Sequence, residues 1–158
     1  TDGRGFPAEV LKEGEKDWTM LRITGKESQE MAMKSPVVMG KATSKQTAAF
    51  FGYPARLGLD EKGKVKSFHQ GNETKGVPAS KLSPLLVVVT VSDPKAMKLK
   101  PLAGFPPVGG MSGGPVLNDE GKVIGVQNSV SKTTEDATGK GLYYTINATP
   151  TNYVKEDR

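Results

Sequence analysis

The 158-residue sequence contains no cysteine and a single histidine, His69. Without thiols there is no disulfide, no thiolate nucleophile and no cysteine-ligated zinc. One histidine also argues against a catalytic zinc centre, and no other metal-ligand cluster is visible. Hydrophobic residues make up 35% of the chain and aromatic residues 6%, a low apolar content for a compact domain. No apolar run approaches the about 20 residues that cross a bilayer, so no membrane span is expected. The longest run, Leu85–Val91, has the length of a strand. The net charge is +5, but the lysines are scattered singly (Lys12, Lys26, Lys41, Lys62, Lys81, Lys122). They form no clustered basic footprint, so nucleic acid is not an expected partner. No phosphate-binding glycine loop is present, and no cofactor is expected. Thr1–Gly5 is neither a signal peptide nor an initiator-methionine start. The chain therefore reads as a fragment or a processed product, with its compartment left open.

Turn formers are plentiful: 19 glycines and 11 prolines, which favour many short strands over long helices. Phe6–Lys12 alternates, with Phe6, Ala8 and Val10 on one face. A polar turn, Glu13–Lys16, leads into the Trp18–Ile23 strand, and the two strands form a hairpin. Gly25–Lys34 is polar and reads as a connector with one helical turn. Val37–Met39 and Thr47–Tyr53 are short strands, and Lys64–Gln70 alternates around Val65, Ser67 and His69. Leu85–Val91 is apolar and β-branched, hence a buried strand. Val123–Val126 and Leu142–Ile146 are further strands, and Pro150–Glu156 is a short C-terminal helix. Ser92–Val108 and Ser131–Lys140 are the long loops. Six to nine short strands with Gly/Pro punctuation predict an all-β barrel or sandwich.

Residues 109–117, Gly-Gly-Met-Ser-Gly-Gly-Pro-Val-Leu, carry the chemistry. Glycines on both sides of Ser112 permit backbone conformations with φ > 0 and let a substrate carbonyl approach. In such a turn the N–H groups of Gly110 and Ser112 converge on one point, which is what a tetrahedral oxyanion requires. A plain glycine-rich hairpin is the alternative, and so many glycines are entropically expensive for a mere turn. Asp17 opens an otherwise apolar strand. Alone it is solvated punctuation; beside a serine turn it is a candidate to orient a catalytic imidazole.

Together these segments resemble the chymotrypsin-fold, trypsin-like serine peptidases, most closely the HtrA-type, glutamyl-endopeptidase and viral branches. Phe6–Val10, a polar turn and Asp17–Ile23 are similar to the strand pair that delivers the family's aspartate. Thr47-Ala-Ala-Phe-Phe-Gly-Tyr-Pro54 resembles the first strand of the second barrel. Gly110–Leu117 and Asn118–Val126 match the nucleophile turn and its following hairpin, and Gly141–Ile146 with Pro150–Glu156 resembles the last strand and helix.

The resemblance implies an all-β, chymotrypsin-like double β-barrel whose first barrel is incomplete in this chain. Residues 1–25 would be the last hairpin of that barrel, 26–40 a connector, and 41–158 the second barrel. It implies a serine endopeptidase with Ser112 as nucleophile, Asp17 as orienting group and an oxyanion hole at Gly110 and Ser112. The family's histidine precedes the aspartate strand, so the base would come from a segment outside these residues, on the same polyprotein or a separate chain. His69, in a second-barrel strand, would have no catalytic role. Met111 stands where trypsin-like zymogens carry an activating aspartate, so activation by a new N-terminus is not expected.

Gln127, Asn128, Ser129 and Val130 would line the specificity pocket of a polypeptide substrate. Their polar character fits a Glu or Gln side chain, while a pocket for small apolar residues is the other reading. Pro106 and Pro107 leave no acidic group at the pocket base, against Arg/Lys specificity. A protease-like binding or structural module without catalysis is a second functional reading. An α/β-hydrolase is a third, opposed by Pro115 and the Asn118–Gly121 hairpin, which leave no room for the required helix. Asn72-Glu-Thr74 and Asn147-Ala-Thr149 are glycosylation patterns that matter only in a eukaryotic secretory context.

Overall fold

Short alternating segments close into a six-stranded antiparallel barrel that forms the body of the chain. The computed structural model describes residues 5–53, 56–59, 65–68, 77–78, 85–101, 110–134 and 142–156. The barrel strands are β3 (Thr47–Gly52), β7 (Leu85–Asp93), β8 (Lys98–Pro101), β9 (Pro115–Asn118), β10 (Val123–Thr134) and β11 (Leu142–Pro150). They run β10-β11-β8-β7-β3-β9 and close between β9 and β10. Closure removes exposed strand edges, which a chain this poor in helix could not otherwise cover.

The core is apolar and drawn from every barrel strand. Phe50, Val87, Val89, Val91, Leu99, Val116, Ile124 and Ile146 are all buried, with Met97 and Met111 filling the gaps between them. Each such side chain contributes about 1.5–3 kcal/mol when removed from water. The Leu85–Val91 run, expected to be a buried strand, is buried on one face only. Val87, Val89 and Val91 point inward, whereas Leu86 and Val88 are 59% and 42% exposed. An antiparallel barrel has one solvated face, so the period-2 pleat turns every second valine outward whatever its hydropathy.

Two smaller sheets accompany the barrel. β1 (Ala8–Gly14) and β2 (Trp18–Ile23) form an isolated hairpin, and β4 (Arg56–Leu59), β5 (Val65–Phe68) and β6 (Val77–Pro78) a three-stranded sheet. The all-β, chymotrypsin-like fold expected from sequence is the fold observed, with a short C-terminal helix α2 (Thr151–Glu156). The strands number eleven among the described residues, more than the six to nine expected.

Several boundaries differ, each for a physical reason. Strand β1 lies two residues later than its alternation suggested, because the turn is formed by Glu15–Asp17 and the register shifts between Val10 and Lys12. Phe6, Ala8 and Val10 are exposed. The polar connector contains a nine-residue helix, α1 (Lys26–Lys34). Its Glu, Gln, Met, Ala and Lys residues are strong helix formers, with Glu27 in the first turn and Lys34 in the last complementing the helix dipole.

Val37–Met39 is not a strand. Only Met39 bridges Val123, held by Val123 N–H to Val38 O at 2.9 Å and Gly40 N–H to Val123 O at 2.8 Å. The presumed loop from Ser92 is instead a tight turn between β7 and β8, where Asp93 accepts the N–H groups of Ala96 and Lys95. Strand β10 likewise continues through Thr134, carried past its apolar part by pairing with β11. Residues 102–109, 135–140 and His69 lie outside the described residues.

Candidate active site

The serine turn sits between β3, β9 and β10. Gly113 has φ +90, a conformation that side chains disfavour, and a Cβ there would meet open space, so its glycine answers to backbone geometry alone. Gly114 is glycine for a different reason. A Cβ there would collide with the Phe51 carbonyl and lie 3.0 Å from the Met111 carbonyl. Gly110 also has φ 91.

The turn is fastened to β10 by Gly113 N–H to Gln127 O at 2.7 Å and Gln127 N–H to Gly114 O at 2.9 Å. Gly114 N–H to Met111 O, 3.0 Å, closes it internally. Met111 is 2% exposed and plugs the core. Ser112, one residue on, is thereby presented to solvent. Its Oγ donates to Asn128 O at 3.0 Å. Among the described residues, no backbone carbonyl takes the Gly110 or Ser112 N–H.

A cleft of about 760 Å³ separates this turn from the β1–β2 hairpin. One wall is the stretch from Asp17 to Leu21; the other is Ser112, Gly113 and Val126–Asn128, with Met39 between them. Ser112, on the turn before β9, and Asp17, on the β1–β2 turn, therefore line a shared cavity. Asp17 adopts φ 57 at the end of the hairpin turn, a left-handed conformation that aspartate tolerates better than most residues. Trp18 beside it is 7% exposed and stacks over Gly14, whose missing side chain leaves room for the indole.

The predicted pocket residues divide. Gln127 and Asn128 line the cleft. Gln127 is 3% exposed, and its Oε1 has no hydrogen-bond partner among the described residues; the same holds for Trp18 Nε1. Asn128 is the extra residue of a β-bulge, since the register of β10 on β11 shifts between Gln127 and Ser129. Ser129 and Val130 are not among the cleft-lining residues. Ser129 Oγ donates to Asn128 Oδ1 at 2.9 Å, and Val130 packs on the barrel core. The bulge separates the two pairs, because one inserted residue bends the strand and re-aims the side chains beyond it.

Sequence reasoning missed Thr149. It is 3% exposed, and its hydroxyl donates to Lys16 O at 2.7 Å, lies 3.3 Å from Asp17 O, and accepts Asn128 Nδ2 at 3.1 Å. Its only sequence signal was membership of the Asn147-Ala-Thr149 pattern. Within that pattern, Asn147 Nδ2 is committed to Ser129 and Ser131 hydroxyls at 3.2 and 2.8 Å. No group of three or more His, Cys, Asp or Glu side chains that could hold a metal ion occurs among the described residues.

With this geometry described, two comparisons bear on it. A family model described as a trypsin-like peptidase domain matches residues 1–126, from the hairpin through the serine turn into β10. A comparison with curated proteins finds no match.

Proposed function

Starting from a chain that belongs to the trypsin-like peptidase domain family, we propose that it is the nucleophile-bearing part of a serine endopeptidase acting by acyl transfer. Ser112 Oγ attacks the carbonyl carbon of a peptide bond as an imidazole takes its proton. The same imidazole then protonates the leaving amine, and water hydrolyses the acyl-enzyme. Asp17 orients the ring and stabilises its charged form. The Gly110 and Ser112 N–H groups hold the oxyanion, with each donor contributing about 3–4 kcal/mol. Without a base the remaining acceleration is roughly 10³–10⁴-fold over water, too little for useful proteolysis. The histidine is therefore supplied by a segment beyond these residues, which completes the first barrel against residues 1–25; 26–40 connect it to the second barrel, 41–158.

The observation that carries this reading is that Ser112 and Asp17 line one cleft although they lie on turns of separate sheets' strands, far apart in sequence. The polar Gln127 and Asn128 on the cleft wall suit a polar substrate side chain such as Glu or Gln, with a small apolar one as the other reading.

A fluorophosphonate probe on the full-length protein, preceding segment included, tests the proposal. Labelling that disappears in Ser112→Ala is the expected result. Absence of labelling in the folded wild-type protein would overturn it in favour of a non-catalytic, peptide-binding module.

A further inference from the structure

The hairpin that carries Asp17 packs sparsely on the barrel that carries Ser112. Among the described residues, strands β1 and β2 make dense contact with each other and at most sparse contact with any barrel strand. Two candidate catalytic groups on loosely joined parts need something that sets their separation, because misplacement by about 1 Å can remove roughly 100-fold of rate.

A continuous path of hydrogen bonds joins them. Thr149 Oγ–H donates to the Lys16 carbonyl at 2.7 Å, at the residue before Asp17. The same oxygen accepts from Asn128 Nδ2 at 3.1 Å. Asn128 in turn accepts the Ser112 hydroxyl on its main-chain oxygen at 3.0 Å. Thr149 is thus used as donor and acceptor at once, in a buried position where each bond is poorly replaced by water. The bulge at Asn128 makes the path possible. By inserting one residue into β10 it frees the Asn128 main-chain oxygen from the regular ladder while its side chain reaches back to β11.

We infer that Thr149 is a positioning residue: its hydroxyl, acting with Asn128, docks the Asp17 turn onto the barrel and sets its place relative to Ser112. The structural half stands without the acyl-transfer reading; the catalytic consequence rests on it. Trp18 is the only tryptophan in the chain, lies next to Asp17 and is buried, so its emission reports this docking directly.

The test compares Thr149→Val, which keeps the shape and removes the hydroxyl, with Thr149→Ser, which restores it. In the full-length protein, with any tryptophan outside these residues replaced by phenylalanine, Thr149→Val should shift Trp18 emission to longer wavelength and raise its quenching by acrylamide, with the barrel's far-ultraviolet dichroism unchanged. Thr149→Ser should behave as wild type. Where the wild type turns over a peptide substrate, Thr149→Val should lower kcat roughly 5–10-fold at nearly constant KM, the loss expected for one hydrogen bond that positions rather than binds.

Unchanged Trp18 emission and quenching in Thr149→Val would overturn the inference whether or not the protein is an enzyme. Failure of Ser112 to label would overturn the catalytic reading alone. If Thr149→Val does not fold, Asn128→Ala cuts the same path from the other side; it should expose Trp18 in the same way, and a native Trp18 signal there would overturn the inference.

Discussion

The β1–β2 hairpin and the six-stranded barrel are written in similar sequence, short runs of alternating apolar and polar residues, but they bury it differently. In the barrel the inward residues reach 0–4% exposure at Val87, Val89, Val91, Leu99 and Val116. In the hairpin Val10, Leu11, Leu21 and Ile23 are 39–58% exposed, and Trp18 alone is well buried. A closed sheet supplies an inside for every strand, whereas two strands have none of their own. The barrel therefore carries the stability and the serine turn. The hairpin carries Asp17 and is placed by a few polar contacts at its turn.

That contrast can be broken most forcefully from the barrel side. Leu99→Ala, at a fully buried site, should lower unfolding free energy by roughly 2–5 kcal/mol in urea melts. A loss as small as at an exposed site would mean that the barrel is not the stabilising unit. Gly114→Ala should follow, at roughly 1–3 kcal/mol, because its Cβ must displace the Phe51 carbonyl. It should also reduce probe labelling of Ser112, since the turn that presents the serine has to move.

On the hairpin side, Leu21→Ala should change stability by no more than about 0.5 kcal/mol in this chain, as expected for a surface site. A several-fold larger effect would show that the hairpin's apolar face is covered in solution. The smallest effect belongs to Asp93→Asn in the β7–β8 turn. The Ala96 N–H, joined by that of Lys95, holds the Asp93 carboxyl below its ordinary value of 3.8. A lowered folded-state pKa stabilises above the unfolded value and is lost as pH falls through the folded one. The variant should thus melt slightly below wild type at neutral pH, and the gap should close under acid conditions.

Much of the candidate site was legible in residues whose constraint is local. Gly113 and Gly114 flag a turn wherever the chain places them, and Ser112 between glycines needs no tertiary context to be singled out. Asp17 was legible only beside that turn and through family resemblance. Thr149 was not legible at all: a threonine in a β-branched strand looks like any other, and its role comes from a carbonyl 133 positions away in sequence. Helix α1 reads in sequence as a single helical turn rather than nine residues, because its few apolar residues, Met31, Ala32 and Met33, cluster at one end and leave no strong period to read.

The sequence by itself determined the chemistry available here: a serine on a glycine turn, no thiol, one histidine, and enough short strands for an all-β fold. These follow from residue type and local backbone preference. Tertiary structure alone decided that Asp17 and Ser112 share a cleft, that Leu86 and Val88 face water, and that a bulge at Asn128 separates Gln127 from Ser129. Those outcomes depend on strand register and barrel closure, which are set by packing among distant segments and leave no mark in any one of them.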